Sequence, residues 1–275
     1  MEIVAAKLDD YELIQNFLLP WEKFCVNLCA NIRKKKEKIY IIKNDDLICG
    51  VFYLDKTMLY FIPESKYLSQ IEQTLADFLK DKHISCLSGE AQSAQVILKA
   101  FSKNNQIPYQ TNHYNLMVLE EEPLSPPEEL SCDDEIRRCT TADTDIQLLL
   151  PLQKMYMAKE VAPPGKQVTD LEASAQVKSI LKDQLCFTLQ SDDEIVAKAN
   201  TNAIGFKYVQ LGGIYTHPLY RKNYYAWHLI YTICQRILKT QRKPVLFVKE
   251  KNNPAVALYN RIGFEQTGKY QISYF

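Results

Sequence analysis

Asn252-Asn253-Pro254-Ala255-Val256-Ala257-Leu258-Tyr259, closed by Ile262-Gly263-Phe264, decides how this chain is read. Pro254 lacks a backbone donor and has its φ preset, which suits the first turn of a helix. Asn252 stands where a side-chain oxygen caps that turn or meets a ligand. Gly263 suits the left-handed position just past a helix end. Upstream, residues 245–248 form a continuous apolar run, the pattern of a strand covered on both faces. Before that, a strand over 208–215 carries Gly212 and Gly213 in its middle. Glycine there marks either a bulge that relieves packing or the close approach of a ligand with backbone-like amides. The strand runs through Thr216 and His217-Pro218 into Arg221-Lys222-Asn223-Tyr224-Tyr225-Ala226, where a helix over 224–239 opens. That helix puts Ala226, Leu229, Ile230, Ile233 and Ile237 on one face and His228, Gln235, Arg236 and Lys239 towards water. The free N–H groups and dipole of a helix start hold phosphate, and Arg221 and Lys222 add charge. A basic helix start is as often plain surface, and His217 before a proline reads as a structural cap or bystander.

Working outward, residues 120–129 are acidic, Pro-rich and nearly free of large apolar side chains, the composition of a linker. The division is residues 1–122, a linker at 123–131, and residues 132–275. The second part begins with a strand over 135–139. Asp143 then caps a helix that Pro151 should kink or split. A turn at 162–165, a helix near 169–181 and strands at 186–189 and 195–200, joined at 191–193, follow. Two short strands, 264–267 and 271–275, close the chain. The first part repeats the order at lower contrast. Helices near 11–19 and 22–32 precede strands at 39–42, 47–53 and 58–62. A helix at 66–79, a strand at 84–87, a helix at 91–101 and an extended segment at 109–119 come next. This is an internal duplication whose first copy lacks the basic turn.

Bulk properties narrow the classes. The 275 residues are 47% hydrophobic and 24% charged with a formal net charge of zero, which fits a soluble two-domain protein and argues against a polyanionic partner such as nucleic acid. The basic run 33–36 reads as a solvated helix end. Eight cysteines lie scattered without CxxC pairs. Cys25 and Cys29 share a helical face with no histidine cluster, so reduced buried thiols, no metal and a cytoplasmic setting are expected. No apolar run has the length of a membrane span.

The quoted segments resemble the GNAT acetyltransferase superfamily. Its second motif, N-x-x-A-x-x-L-Y-x-x-x-G-F, is complete as Asn252, Ala255, Leu258, Tyr259, Gly263 and Phe264. Its Q/R-x-x-G-x-G/A loop is met by Arg221 and Ala226, while Tyr224 replaces the first motif glycine. The likeness covers about residues 135–275 and is architectural before that. It implies an α/β fold of tandem GNAT-like domains, each a mixed, mostly antiparallel sheet flanked by helices, with the C-terminal copy intact. It implies acetyl-CoA as cofactor and acetyl transfer to a primary amine, of a small molecule or a peptide, in a ternary complex. The amides of Lys222, Asn223, Tyr224, Tyr225 and Ala226 would hold the pyrophosphate, with Arg221, Tyr215, Thr216, Asn252 and Ala255 alongside. N–H groups near Gly213 and Ile214 would polarise the thioester, and Tyr259 would be the general acid. Glu160 is the candidate base, although a water chain would serve, and Asn200 and Asn202 would line the acceptor cleft. The Tyr224 departure keeps a second reading open, a non-catalytic acyl-CoA-binding or protein-interaction module. A monomer or a homodimer fits equally.

Overall fold

The structure, a computed structural model, describes every residue except Ser65, residues 163–165 and Asp193. The expected turns at 162–165 and 191–193 therefore lie partly outside the described residues. The first half runs β1 (Glu2–Ala5), α1 (Asp10–Leu18), α2 (Val26–Arg33), β2 (Ile39–Asn44), β3 (Leu47–Leu54), β4 (Thr57–Phe61), α3 (Leu68–Leu79), β5 (Cys86–Glu90), α4 (Ala91–Lys103) and β6 (Gln110–Val118). The second half repeats this order as β7 (Asp134–Arg138), α5 (Asp143–Tyr156), α6 (Asp170–Asp183), β8 (Cys186–Ser191), β9 (Glu194–Ile204), β10 (Tyr208–Thr216), α7 (Tyr225–Leu238), β11 (Lys243–Lys249), α8 (Asn253–Ile262) and β12 (Glu265–Tyr274).

All strands join one mixed sheet in the order β1-β2-β3-β4-β5-β12-β6-β11-β10-β9-β8-β7. Among the described residues only the β4–β5 and β10–β11 pairs are parallel. The order shows a reciprocal exchange. β12 of the second half lies antiparallel against β5 of the first, from Tyr270↔Glu90 to Tyr274↔Cys86. β6 of the first half lies against β11 of the second, from Val245↔Val118 to Lys249↔Tyr114. The two exchanged strands pair with each other at the centre. Each half is thus completed by the other's last strand.

Further contacts fasten the halves. Glu22, fully buried in a 3₁₀ turn before α2, accepts the N–H groups of Phe206 (2.6 Å), Lys207 (3.0 Å) and Tyr208 (3.2 Å) at the β9–β10 turn. Gly205 permits this approach, since a Cβ there would stand 2.1 Å from the carboxylate. Asn27 donates to Gln210 at 3.1 Å, and Val26 and Ala30 pack with Leu116, Val118, Ala203 and Val245.

Several expectations need correction. Helix α5 runs through Pro151 unsplit, because one absent N–H is outweighed by burial of Leu149, Leu152 and Gln153 on either side. Irregularity comes after it, as a π turn over Met157–Val161. Asp143 is not the cap of α5; it lies in the first turn, while Asp145 accepts the Thr140 N–H at 2.6 Å. The two closing strands are one, β12, whose pairing with β6 shifts register between Gln266 and Gly268 and then resumes. The helix expected from residue 22 begins at Val26, after that 3₁₀ turn. No helix among the described residues is long and apolar enough to cross a membrane.

Candidate active site

The site forms where β10 and β11 part. Their parallel pairing covers Tyr208↔Lys243 to Gln210↔Val245 and stops, while β10 continues to Thr216 and β11 to Lys249. A parallel ladder cannot continue once one strand is diverted, and β10 is diverted by its glycines. Its register against β9 jumps between Gly212↔Asn200 and Tyr215↔Lys198, with Gly213 at φ 58°. Side chains of β9 press into the space that the glycines leave. A Cβ on Gly213 would stand 1.9 Å from Asn200 Oδ1, and one on Gly212 would stand 2.0 Å from Asn202 Nδ2.

Among the described residues the first copy shows no such opening. β4 and β5 pair from Thr57↔Cys86 to Tyr60↔Gly89, nearly to their ends. The buried Tyr60 ring lies against Gly89, where a Cβ would approach it to 2.6 Å, and its hydroxyl donates to Glu90 O at 3.3 Å. The equivalent crevice is zipped and filled.

Beyond β10, the chain reaches α7 through residues 217–224. His217 Nδ1 accepts the Leu219 N–H at 3.4 Å, a structural cap. Arg221 folds back, with Nε donating to Thr216 O at 3.3 Å and its guanidinium over the Tyr215 ring, 5.7 Å from the ring centre. Lys222 and Asn223 are exposed, and Lys222 has φ 73°. Tyr224 adopts φ 55°, ψ 8°, the left-handed region that a glycine would fill without cost. Its ring packs edge-to-face on Trp227 at 6.3 Å, and the indole N–H donates to Leu124 O at 2.9 Å. Tyr225 turns away, donating to Asp134 at 3.1 Å. Among the described residues no side chain caps α7. Its first backbone bond runs from His228 N–H to Tyr224 O, so among the described residues the N–H groups of Tyr225, Ala226 and Trp227 have no acceptor. Unclaimed donors on a turn of alternating hand suit an anion. His228, expected in solvent, is half-buried beside Glu128, and burial pushes its pKa down.

On the other wall, Asn252 caps α8 by accepting the Ala255 N–H at 3.3 Å. Gly263, at φ 107°, ends the helix, with Phe264 N–H bonded to Tyr259 O at 3.0 Å. Ala255 packs on the core of the second half. Tyr259 is buried edge-to-face on Phe264 at 6.0 Å, and among the described residues its hydroxyl makes no hydrogen bond. Burial, then the fields of Tyr156 and Glu160, push its pKa well above the ordinary phenol value. It therefore stays protonated at any physiological pH.

Glu160 lies across the opening in the π turn, where Lys249 at the end of β11 donates to its backbone oxygen (2.9 Å) and to Oε2 (3.2 Å). Asn200 and Asn202 line a cavity of about 360 Å³ with Gln153, Tyr156, Val161 and Gly213, between α5–α6 and the sheet; Glu160 adjoins it through its neighbour Val161. Asn200 is buried and donates to Thr201 O (2.9 Å) and Asn202 Oδ1 (3.1 Å). Ile214 is half-buried in the bulge.

Two residues of the site escaped the sequence reading. Tyr156, at the end of α5, packs edge-to-face on Tyr215 at 6.1 Å, and burial, with Glu160 adding, pushes its pKa up to about 12 against the Gly213 N–H. Lys198, on β9, holds its ammonium 4.8 Å from the centre of the Tyr156 ring. Tyr156 lies in no motif, and Lys198, although inside the family-like stretch 197–202, gave no signal of a role, since a lysine in an alternating strand reads as solvent-facing.

Comparison with known proteins agrees with this layout. Residues 193–272 match the FR47-like protein family. No curated protein matches the sequence. A Drosophila protein of known structure superposes with TM-score 0.70 at 12% identity, over 99% of this chain and 98% of its own. A tandem GNAT protein from the clavulanic acid biosynthesis pathway superposes with TM-score 0.60 at 10% identity, over 99% and 97%. The chain spans 65% of the length of a GNAT-family protein from Novosphingobium aromaticivorans, which covers 60% of this chain at 17% identity and TM-score 0.45. At such identities the likeness concerns the fold. The chain thus has the fold of a tandem GNAT protein, two GNAT-like folds in one polypeptide, and residues 193–272 of the second match the FR47-like family.

Proposed function

We propose that the second copy is an acetyl-CoA-dependent N-acetyltransferase acting on a primary amine, of a small molecule or a peptide. The observation that carries this is the early end of the β10–β11 ladder, beside an uncapped α7 and a buried, unbonded Tyr259 hydroxyl. The N–H groups of Tyr225, Ala226 and Trp227, with Arg221 and Lys222 beside them, would hold the pyrophosphate. Acetyl-CoA would supply the activated acetyl group. The amides of the β10 bulge, at buried Gly213 and half-buried Ile214, would face the place where negative charge grows on the acyl oxygen, and preset donors there lower the barrier. Tyr259 holds a proton for the leaving sulfur, and its raised pKa leaves it neutral until then. Asn200 and Asn202 hold the acceptor. Glu160, tied to Lys249, takes the amine proton directly or through water.

The test is Tyr259→Phe. Turnover on a responsive amine should fall by about 10²–10⁴-fold, the usual worth of general acid catalysis, while CoA affinity by calorimetry stays near wild type. An unchanged rate removes Tyr259 from this role. If the wild type binds acetyl-CoA but releases no thiol with any of a broad amine panel, the second reading, a binding module, takes over. The observation favouring it is Tyr224 in the phosphate turn.

A further inference from the structure

Lys198 carries a charge that the foregoing roles do not use. The residue is 1% exposed, and among the described residues no carboxylate bonds its ammonium. Burial draws its pKa down to about 8, which the nearby Cys186 and Cys139 thiols only partly oppose. A buried charge without a counter-ion is costly, and an apolar side chain of similar length would avoid the cost. Its three contacts are all parts of the site. Nζ donates to Gly213 O at 2.8 Å and to Asn200 Oδ1 at 3.2 Å, and sits over the Tyr156 ring. Gly213, Asn200 and Tyr156 all line the acceptor cavity, and Lys198 lies behind them.

The bond to Gly213 has a geometric consequence. Across a trans peptide, a carbonyl and the following N–H point in opposite directions. Holding Gly213 O towards Lys198 therefore turns the Ile214 N–H the other way. Gly213 is in the bulge at φ 58°, and a glycine there has other conformations open to it unless its peptide is anchored. Resting on the acetyltransferase reading, we propose that Lys198 is a positioning residue: its ammonium anchors the Gly213 carbonyl and so aims the Ile214 N–H at the acyl oxygen of the thioester.

The experiment compares the affinities of acetyl-CoA and S-ethyl-CoA, a thioether without the carbonyl oxygen, for full-length wild type and Lys198→Met by calorimetry. The wild type should prefer acetyl-CoA by about tenfold, the worth of one net hydrogen bond. Lys198→Met should bind both alike and keep S-ethyl-CoA within about threefold of wild type, because the pyrophosphate contacts are untouched. If the methionine variant does not fold, Lys198→Gln, too short to reach the Gly213 carbonyl, is measured in its place. A variant that keeps the full preference overturns the proposal, as does a wild type that binds both compounds equally. A wild type that binds neither overturns the acetyltransferase reading itself, a result distinguishable from the first two.

Discussion

Replacing Tyr224 by glycine and, separately, by alanine isolates the strain at the head of α7. At φ 55°, ψ 8° the residue is in the left-handed region, where a Cβ costs about 1–2 kcal/mol. Alanine keeps that cost. Glycine removes it but restores about 0.4–1 kcal/mol of unfolded-chain entropy. Glycine should therefore be the more stable of the two by about 0.5–1 kcal/mol, the reverse of the usual helix order. For a chain of this size that is about 1–4 °C in Tm. Both variants lose the edge-to-face contact with Trp227, about 0.5–1.5 kcal/mol, so alanine should melt below wild type, while in glycine the relieved strain offsets most of that loss and its Tm stays near wild type. Guanidinium titration of the three proteins measures the order, and an alanine variant as stable as the glycine variant refutes the reasoning. The same pair tests the phosphate turn. Because the backbone already adopts the conformation a glycine favours, Tyr224→Gly should leave the CoA Kd within about threefold of wild type. A gain of tenfold, about 1.4 kcal/mol, would mean that the ring obstructs the ligand.

Three further outcomes follow from the contacts described above. Glu22→Ala leaves the N–H groups of Phe206, Lys207 and Tyr208 without their acceptor and should cost about 3 kcal/mol by denaturant unfolding, with Glu22→Gln, which keeps one oxygen, costing about half as much; equal costs would refute this. Gly213→Ala places a Cβ 1.9 Å from Asn200 Oδ1 at a positive φ, so it should destabilise the protein by about 1–3 kcal/mol and depress turnover more than CoA affinity; near-neutral stability would refute the bulge geometry. Burial pushes the Asp145 carboxyl up, but the Thr140 N–H, the Arg137 guanidinium at 2.6 Å and the Thr140 hydroxyl together hold its pKa below the usual value. The resulting stability is complete above the unfolded pKa of about 3.9 and is lost as pH falls through the lower folded value. Asp145→Asn should flatten the acid limb of the stability curve, and an unaltered limb would count against this account.

Legibility in the sequence followed the reach of local rules. The segment 252–264 announced its helix through Pro254 and Gly263, and the apolar run at 245–248 announced a covered strand, because capping and burial patterns act within a few residues. The helix over 169–181 was also visible, and in the structure Thr169 with Glu172 closes a capping box at its start. β1 was missed, since Glu2–Ala5 is too short to show alternation. The exchange of β6 and β12 was invisible, because nothing in a strand's own residues names its neighbour. Lys198 was passed over because its cover comes from Tyr156 on another element, and the unsplit α5 depended on tertiary burial around Pro151. The opposite fates of the two crevices came from a single contact class: glycines that admit Asn200 and Asn202 in one, and a tyrosine laid over Gly89 in the other.

The crossed terminal strands bear on how this polypeptide can be dissected. A fragment that stopped at the Pro-rich connector would leave β5 without its β12 partner, and one that began there would leave β11 without β6. Each would carry a raw, unpaired edge, the kind that invites aggregation. A nick in the connector of the intact molecule should behave differently: the two pieces would stay clasped, each threaded through the other's sheet, and would part only on denaturation.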